Sequence, residues 1–96
     1  MKKNEFAALK NWFEKKYGTS SLATIECDGR TIQGYMYGND ECFDGDELYQ
    51  YFLTEDVLYK AYYAIPEGIE DLSNLDYDHP YKVVDADAQY YIDYVI

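Results

Sequence analysis

The dipeptide Asp28-Gly29 separates two β-prone runs, residues 22–27 and residues 30–37. Asp-Gly is a favoured pair for a two-residue hairpin turn, because both central residues of such a turn take positive φ angles. The sequence therefore predicts an antiparallel hairpin over residues 22–37. Gly34 and Gly38 lie inside and just after its second strand, where glycine marks a bulge or a bend.

A helix is predicted before this hairpin, over residues 4–17. Asn4 is a suitable N-cap, and Gly18 is a suitable end. The apolar residues of the segment recur at spacings of three and four along one stripe: Phe6, Leu9, Phe13 and Tyr17. Such a stripe favours packing against a sheet over binding to a partner. Trp12 lies beside the stripe and is expected to be partly exposed.

The segment after the hairpin, from Asp44 to residue 53, allows two alternative predictions of secondary structure. Asp44, followed three residues later by Glu47, resembles a capping box and predicts a short helix that begins at Asp44. A strand over residues 48–53 is the competing prediction. Side chains alternate in a strand-like way over residues 57–65, which predicts a further strand that ends at Pro66.

The last third of the chain contains a polar connection and two β-rich runs. Residues 66–80 predict a helix of one or two turns, because apolar residues recur there by threes. These residues are Ile69, Leu72 and Leu75. Residues 81–85 and 89–96 predict a second hairpin, since β-branched and aromatic residues favour strands. A helix that begins near Asp87 is the alternative.

Together these elements predict a single α+β domain over residues 1–96. An N-terminal helix packs on an antiparallel sheet of four or five strands, with one or two short additional helices. The sequence has no apolar run long enough to span a membrane and no secretory h-region. Its two cysteines, Cys27 and Cys42, form no CxxC motif, so we expect a cytoplasmic protein with reduced thiols.

The charge of the chain is unevenly distributed. The formal net charge is -11, from 8 basic and 19 acidic residues. Residues 1–37 hold six of the basic residues and only four of the acidic ones. Residues 38–96 hold fifteen acidic residues, and ten of the thirteen tyrosines. The domain therefore divides into a near-neutral scaffold, residues 1–37, and an acidic tyrosine-rich part, residues 38–96.

The acidic residues occur in clusters that predict a partner-binding surface. Acidic side chains at turns and helix starts explain any single cluster without a partner. The whole set is better explained by attraction of a basic protein, because mutual repulsion between so many carboxylates costs stability. The candidate residues are Asp40, Glu41, Asp44, Asp46, Glu47, Glu55, Asp56, Glu67, Glu70, Asp71, Asp76 and Asp78, with Tyr49 and Tyr77.

No catalytic, metal or cofactor site is predicted. Residues 40–51 resemble a calcium-binding loop with Gly45 at its sixth position, but Cys42 and Tyr51 occupy positions three and twelve. His79 is the only histidine, and both cysteines lie far from it in the sequence. This spacing does not fit a zinc site. No glycine-rich phosphate loop is present. Direct binding to nucleic acid is opposed by the negative charge.

The function predicted from these features is inhibition by nucleic-acid mimicry, with carboxylates in place of phosphates. In size, acidity and α+β class the chain is similar to phage-encoded anti-CRISPR and anti-restriction proteins and to uracil-DNA glycosylase inhibitors. The resemblance is one of general class, so it assigns a role to no residue. The alternative is an immunity protein or antitoxin that neutralises a nuclease toxin. Either function implies a basic nucleic-acid-binding enzyme as partner, no membrane, and a monomer or small homo-oligomer.

Overall fold

A computed structural model describes residues 1–68 and 71–96. In chain order the elements are α1 (Lys3–Tyr17), β1 (Leu22–Cys27), β2 (Arg30–Tyr37), β3 (Phe43–Asp44), β4 (Glu47–Leu53), β5 (Leu58–Tyr63), a 3₁₀ turn (Leu72–Asn74), β6 (Lys82–Asp85) and α2 (Ala88–Tyr94). The strands form one antiparallel sheet in the order β1-β2-β4-β5-β6, with the short β3 also paired to β4. The predicted α+β class is confirmed. No helix in the described part of the chain is long and apolar enough to cross a membrane.

The first hairpin forms where the sequence predicts it. β1 and β2 pair from Leu22 with Tyr35 to Cys27 with Arg30. The two turn residues take positive φ angles, 53° for Asp28 and 75° for Gly29. This is the backbone that a two-residue turn needs in order to match the twist of the paired strands.

Helix α1 begins two residues earlier than its predicted cap implies. The cap assigned to Asn4 is wrong, because the backbone N–H of Lys2 donates to the Glu5 carboxylate at 2.9 Å and closes the first turn. The predicted end at Gly18 is confirmed, with a φ angle of 96°. Of the predicted stripe, Leu9 and Phe13 are fully buried. The helix therefore packs on the sheet as expected, and Trp12 is half-buried beside it.

The segment after Asp44 is a strand, so the helix predicted there is wrong and the competing strand is right. Asp44 and Glu47 are cross-strand partners rather than members of a capping box. The reason is the turn between them, where Gly45 takes a φ angle of 64° that starts a tight hairpin loop. β4 itself is the central strand and is buried on both faces, which hides the alternation that identifies a half-exposed strand.

The predicted C-terminal hairpin is also wrong, and the alternative prediction of a helix is right. A strand does form over Lys82–Asp85, but the chain then turns into helix α2. Asp87 caps this helix by accepting a hydrogen bond from the Tyr90 N–H at 3.3 Å. Packing overrides the β propensity of these residues, because the Tyr91 hydroxyl lies 2.8 Å from the hydroxyl of Tyr51 on the sheet.

Within residues 66–80, where one or two helical turns are predicted, the structure has one turn of 3₁₀ helix, Leu72–Asn74. The Asp71 carboxylate caps that turn by accepting from the Ser73 N–H at 2.9 Å. Ile69, part of the predicted pattern, lies outside the described residues. Further along, the carbonyl of Asp78 accepts a hydrogen bond from the Glu26 N–H at 2.8 Å. The connection therefore reaches back to the edge strand β1.

The sheet has a core on each face. Helices α1 and α2 cover one face, whose buried residues include Tyr37, Tyr51, Leu53 and Leu58. Ile25, Phe52, Ala61 and Tyr63 form the core on the opposite face, against which Leu75 and Tyr77 of the connection pack. Strands β2, β4 and β5 are thus held between layers, while the short β3 is exposed. The loops at the two ends of the sheet are left for function.

Gly34 lies where β2 passes close to the backbone of β4. A Cβ atom at this position would lie 2.5 Å from the Leu53 carbonyl oxygen, which belongs to the backbone of the paired strand. Because a backbone atom cannot rotate away, the close approach requires glycine. This accounts for the glycine inside the second predicted strand.

We predict that Gly34→Ala lowers the free energy of unfolding by about 1–3 kcal/mol, because the added methyl forces β2 away from β4. Urea denaturation followed by circular dichroism measures the change. Gln33→Ala, at an exposed neighbouring position, is the matched control and should change stability by less than about 0.5 kcal/mol. Equal effects of the two substitutions would contradict the steric explanation.

Candidate partner-binding surface

β3 continues the line of β2 along the same side of β4. Tyr37 of β2 pairs with Tyr51, and Phe43 of β3 pairs with Leu48 further along the same strand. Residues 38–42 loop out between them. The loop and the β3–β4 turn bring together, at one end of the sheet, five of the predicted residues, which we name the acidic end: Asp40, Glu41, Asp44, Asp46 and Glu47.

Two members of the acidic end are hydrogen-bonded to the sheet. Asp44 accepts from the Tyr62 hydroxyl at 3.1 Å. Glu47 accepts from the Tyr81 hydroxyl, and its carboxylate lies 3.5 Å from the Lys82 ammonium. The hydrogen bond with Glu47 raises the pKa of Tyr81 to about 12. These contacts fix the β3–β4 hairpin against β5 and β6.

The remaining three members are uncommitted. The carboxylates of Asp40, Glu41 and Asp46 make no hydrogen bond or ion pair with another described residue. All three side chains are exposed. The acidic end therefore combines a fixed hairpin with three carboxylates that are free to bind cations.

Asp71 and Tyr77, both predicted from the sequence, lie beside the acidic end. With Asp40 and Gln50 they line a depression of about 610 Å³. Burial, followed by the nearby carboxylates of Asp40 and Asp71, raises the pKa of Tyr77. Tyr77 also has a structural role, because its ring packs against Tyr63 and its hydroxyl donates to the Leu72 carbonyl at 2.7 Å.

Other predicted residues lie away from the acidic end. Glu55 and Asp56 form part of the β4–β5 turn, where they border a cavity with Met1 and Lys3. This turn is at the other end of β4, roughly 20 Å away at about 3.3 Å per residue. Glu67 is exposed after Pro66, and Glu70 lies outside the described residues.

Asp76 and Asp78 belong to a third cluster, organised by His79. The Nδ1 atom of His79 lies 2.8 Å from the Asp76 carboxylate, and its Nε2 atom lies 3.4 Å from the carboxylate of Glu26 on β1. The hydrogen bond with Asp76 is the main cause that raises the pKa of His79. When it is protonated, the ring joins the connection to the edge strand. Asp28 and Arg30 lie nearby in space, and Asp78 is its neighbour in sequence.

We predict a pH-dependent stabilisation from this bridge. Because the folded-state pKa of His79 is raised, the stabilisation is complete below pH 6.5, its ordinary pKa, and is lost as the pH rises through the folded-state value. The urea midpoint of the natural chain should exceed that of His79→Gln more at about pH 6 than at about pH 8.5. A difference that does not change with pH would contradict the bridge.

The aromatic side chains around the acidic end differ in their exposure. Tyr49 is half-buried, with the Lys60 ammonium 4.5 Å from its ring centroid. More exposed aromatic side chains flank the acidic end instead: Tyr81, 46% exposed, and Phe43, 41% exposed. Sequence reasoning missed Tyr81 because its contact with Glu47 depends on the pairing of β5 with β6. It missed Phe43 because the pairing of β3 with β4 depends on a two-residue strand. The Asp44-Gly45-Asp46 turn is the signal that could have revealed it.

The charge of the acidic part is largely uncompensated in the described residues. Only two of its carboxylates approach a cationic side chain there, Glu47 with Lys82 and Asp76 with His79. Its other lysine, Lys60, lies over the rings of Tyr49 and Tyr51. A negative field therefore extends from this part of the protein into solvent.

Groups that could bind a metal ion are not assembled in the described part of the chain. No group of three His, Cys, Asp or Glu is placed there to hold a metal ion. Cys27 and Cys42 are buried thiols, and burial raises the pKa of Cys27. Comparison with protein families, curated proteins and solved structures finds no match to this chain. An assignment of function therefore depends on the surface geometry.

Proposed function

We propose that the protein is an inhibitor that mimics nucleic acid, of anti-CRISPR or anti-restriction type, and that its acidic end occupies the basic groove of a DNA- or RNA-acting enzyme. In this proposal it has no catalytic activity of its own. The observation that carries the proposal is the contrast within the acidic end. Asp44 and Glu47 fix the hairpin, while the exposed carboxylates of Asp40, Glu41 and Asp46 stay uncommitted.

A fixed hairpin suits this role because it lowers the entropy lost on binding. The Tyr62 and Tyr81 hydroxyls hold the turn through carboxylates on its two strands. Binding therefore orders few additional groups, which strengthens association. A carboxylate, like a phosphate, accepts charge-assisted hydrogen bonds from Arg and Lys, so a groove built for a nucleic-acid backbone offers suitable donors.

Aromatic side chains beside the carboxylates add contact area. Phe43 is exposed on the β3–β4 hairpin, and Tyr81, the residue before β6, is also exposed. Exposed aromatic residues commonly contribute much of the free energy at protein interfaces, and their faces attract Arg and Lys. The acidic end thus offers both long-range attraction and short-range anchoring to one basic partner.

The proposal predicts that charge removal at the acidic end weakens inhibition much more than equal removal elsewhere. Glu41→Gln/Asp46→Asn neutralises two uncommitted carboxylates, while Glu55→Gln/Asp56→Asn neutralises the same two residue types at the other end of β4. Inhibition would be measured on a panel of restriction endonucleases, CRISPR nucleases and uracil-DNA glycosylase. Against a susceptible enzyme we expect at least about a tenfold loss for the first double variant and little change for the second.

Competition and salt dependence complete this test. Binding to the susceptible enzyme should be displaced by its DNA or RNA, and should weaken steeply between about 50 and about 200 mM salt. Equal losses for the two double variants, or binding that is indifferent to salt and nucleic acid, would contradict the proposal. Neutralisation of one nuclease toxin, with the panel unaffected, would support the immunity-protein alternative instead.

A further inference from the structure

The outer face of α2 presents aromatic side chains to solvent. Tyr90, Asp93 and Tyr94 share this face because they are spaced by three and four residues. Tyr94 is 79% exposed and Tyr90 is 52% exposed, and their ring centroids lie 5.5 Å apart. The inner face packs on the core through Tyr91 and Ile92. The two outer tyrosines are therefore not needed to hold the helix on the sheet.

A cationic side of α1 adjoins this aromatic pair. Trp12, Lys15 and Lys16 share one side of that helix, and the Lys16 ammonium lies 5.1 Å from the Trp12 ring centroid. Trp12 contacts Tyr91 with 5.9 Å between centroids, and Tyr91 contacts Tyr90 with 5.7 Å. These contacts through the half-buried Tyr91 place the cationic side of α1 next to the outer tyrosines of α2, so we take the two together as one surface.

We propose that this surface binds a second copy of the chain and forms a dimer with two-fold symmetry. We name it the helical patch, and it consists of Trp12, Lys15, Lys16, Tyr90, Asp93 and Tyr94. The inference does not depend on the proposed function of the acidic end.

The composition of the helical patch makes it complementary to itself. In a two-fold dimer every contact occurs twice, so one patch must supply both members of each pair. Lys15 and Lys16 lie within salt-bridge distance of no carboxylate in residues 1–68 and 71–96. Asp93 accepts a hydrogen bond from the Gln89 amide at 2.9 Å but lies within salt-bridge distance of no cation in the same ranges. A second copy supplies the missing partners, Asp93 against the lysines and the lysines against Asp93. The exposed tyrosines lie beside these pairs.

The overall charge favours a second copy at this place over others. Two molecules that each carry -11 repel one another. The repulsion is smallest at the scaffold, where residues 1–37 hold six basic and four acidic residues. The helical patch takes three of its members from this near-neutral part. It is therefore the aromatic surface at which two copies meet with least repulsion.

Sedimentation equilibrium of the full chain tests the dimer, from about 1 to about 200 µM protein in about 0.15 M salt. The apparent mass should rise with concentration toward twice that of one chain. Tyr94→Ser should weaken association at least about tenfold by removing aromatic contact. Leu22→Ser is the matched control, because Leu22 is 55% exposed on β1, and it should leave the dimerisation constant unchanged.

A charge exchange tests the arrangement within the dimer. Lys16→Glu and Asp93→Lys should each weaken self-association, since each places like charges in both symmetric contacts. An equimolar mixture of the two variants should associate again, because opposite charges then face each other twice. This recovery would also show that both variants fold. A monomer at every concentration, or a dimer that tolerates Tyr94→Ser and gains nothing from mixing, would overturn the proposal.

Discussion

The structure depends on the burial of β4 on both of its faces. Tyr51 and Leu53 point into the layer under α1 and α2, while Phe52 belongs to the core on the opposite face. The strand also pairs with β2, β3 and β5, so it provides the template for most of the sheet. The β3–β4 turn leads directly into the first residue of this strand. The position of the acidic end therefore follows from the core rather than from contacts among its own charges.

Tyrosine hydroxyls help to hold three carboxylates in place, and two of these carboxylates, Glu14 and Glu47, also pair with a lysine. Tyr37 donates to Glu14 at 3.1 Å and so connects the sheet to α1. Tyr62 and Tyr81 donate in the same way to Asp44 and Glu47. A hydroxyl satisfies a carboxylate without neutralising it. At Asp44, which pairs with no cation among the described residues, the Tyr62 hydroxyl therefore fixes the carboxylate and leaves its negative charge in place.

The sequence was sufficient for elements that local chemistry determines. Asp28-Gly29 specified the first hairpin, and the spacing from Phe6 to Tyr17 specified α1. It was insufficient where tertiary contacts decide. β4 lacks alternation because both of its faces are buried, and α2 is helical against its β propensity because Tyr91 bonds to Tyr51. Similarly, the carboxylates of the candidate surface were identified by composition, but only the fold separates the bonded Asp44 and Glu47 from the uncommitted Asp40, Glu41 and Asp46.

The contacts between α1 and α2 also affect the intrinsic fluorescence that we expect of this protein. Trp12 is the only tryptophan of the chain, and its ring meets Tyr91 of α2 and Phe13 of α1 at 5.9 and 4.9 Å. Tyrosines on the sheet surround the other side of Phe13. We therefore expect the intrinsic fluorescence of the indole to be sensitive to the docking of α2. The tyrosines, in contrast, are spread over the sheet, the connection and both helices. Trp12 is therefore an internal fluorescence probe of the layer that the two helices form.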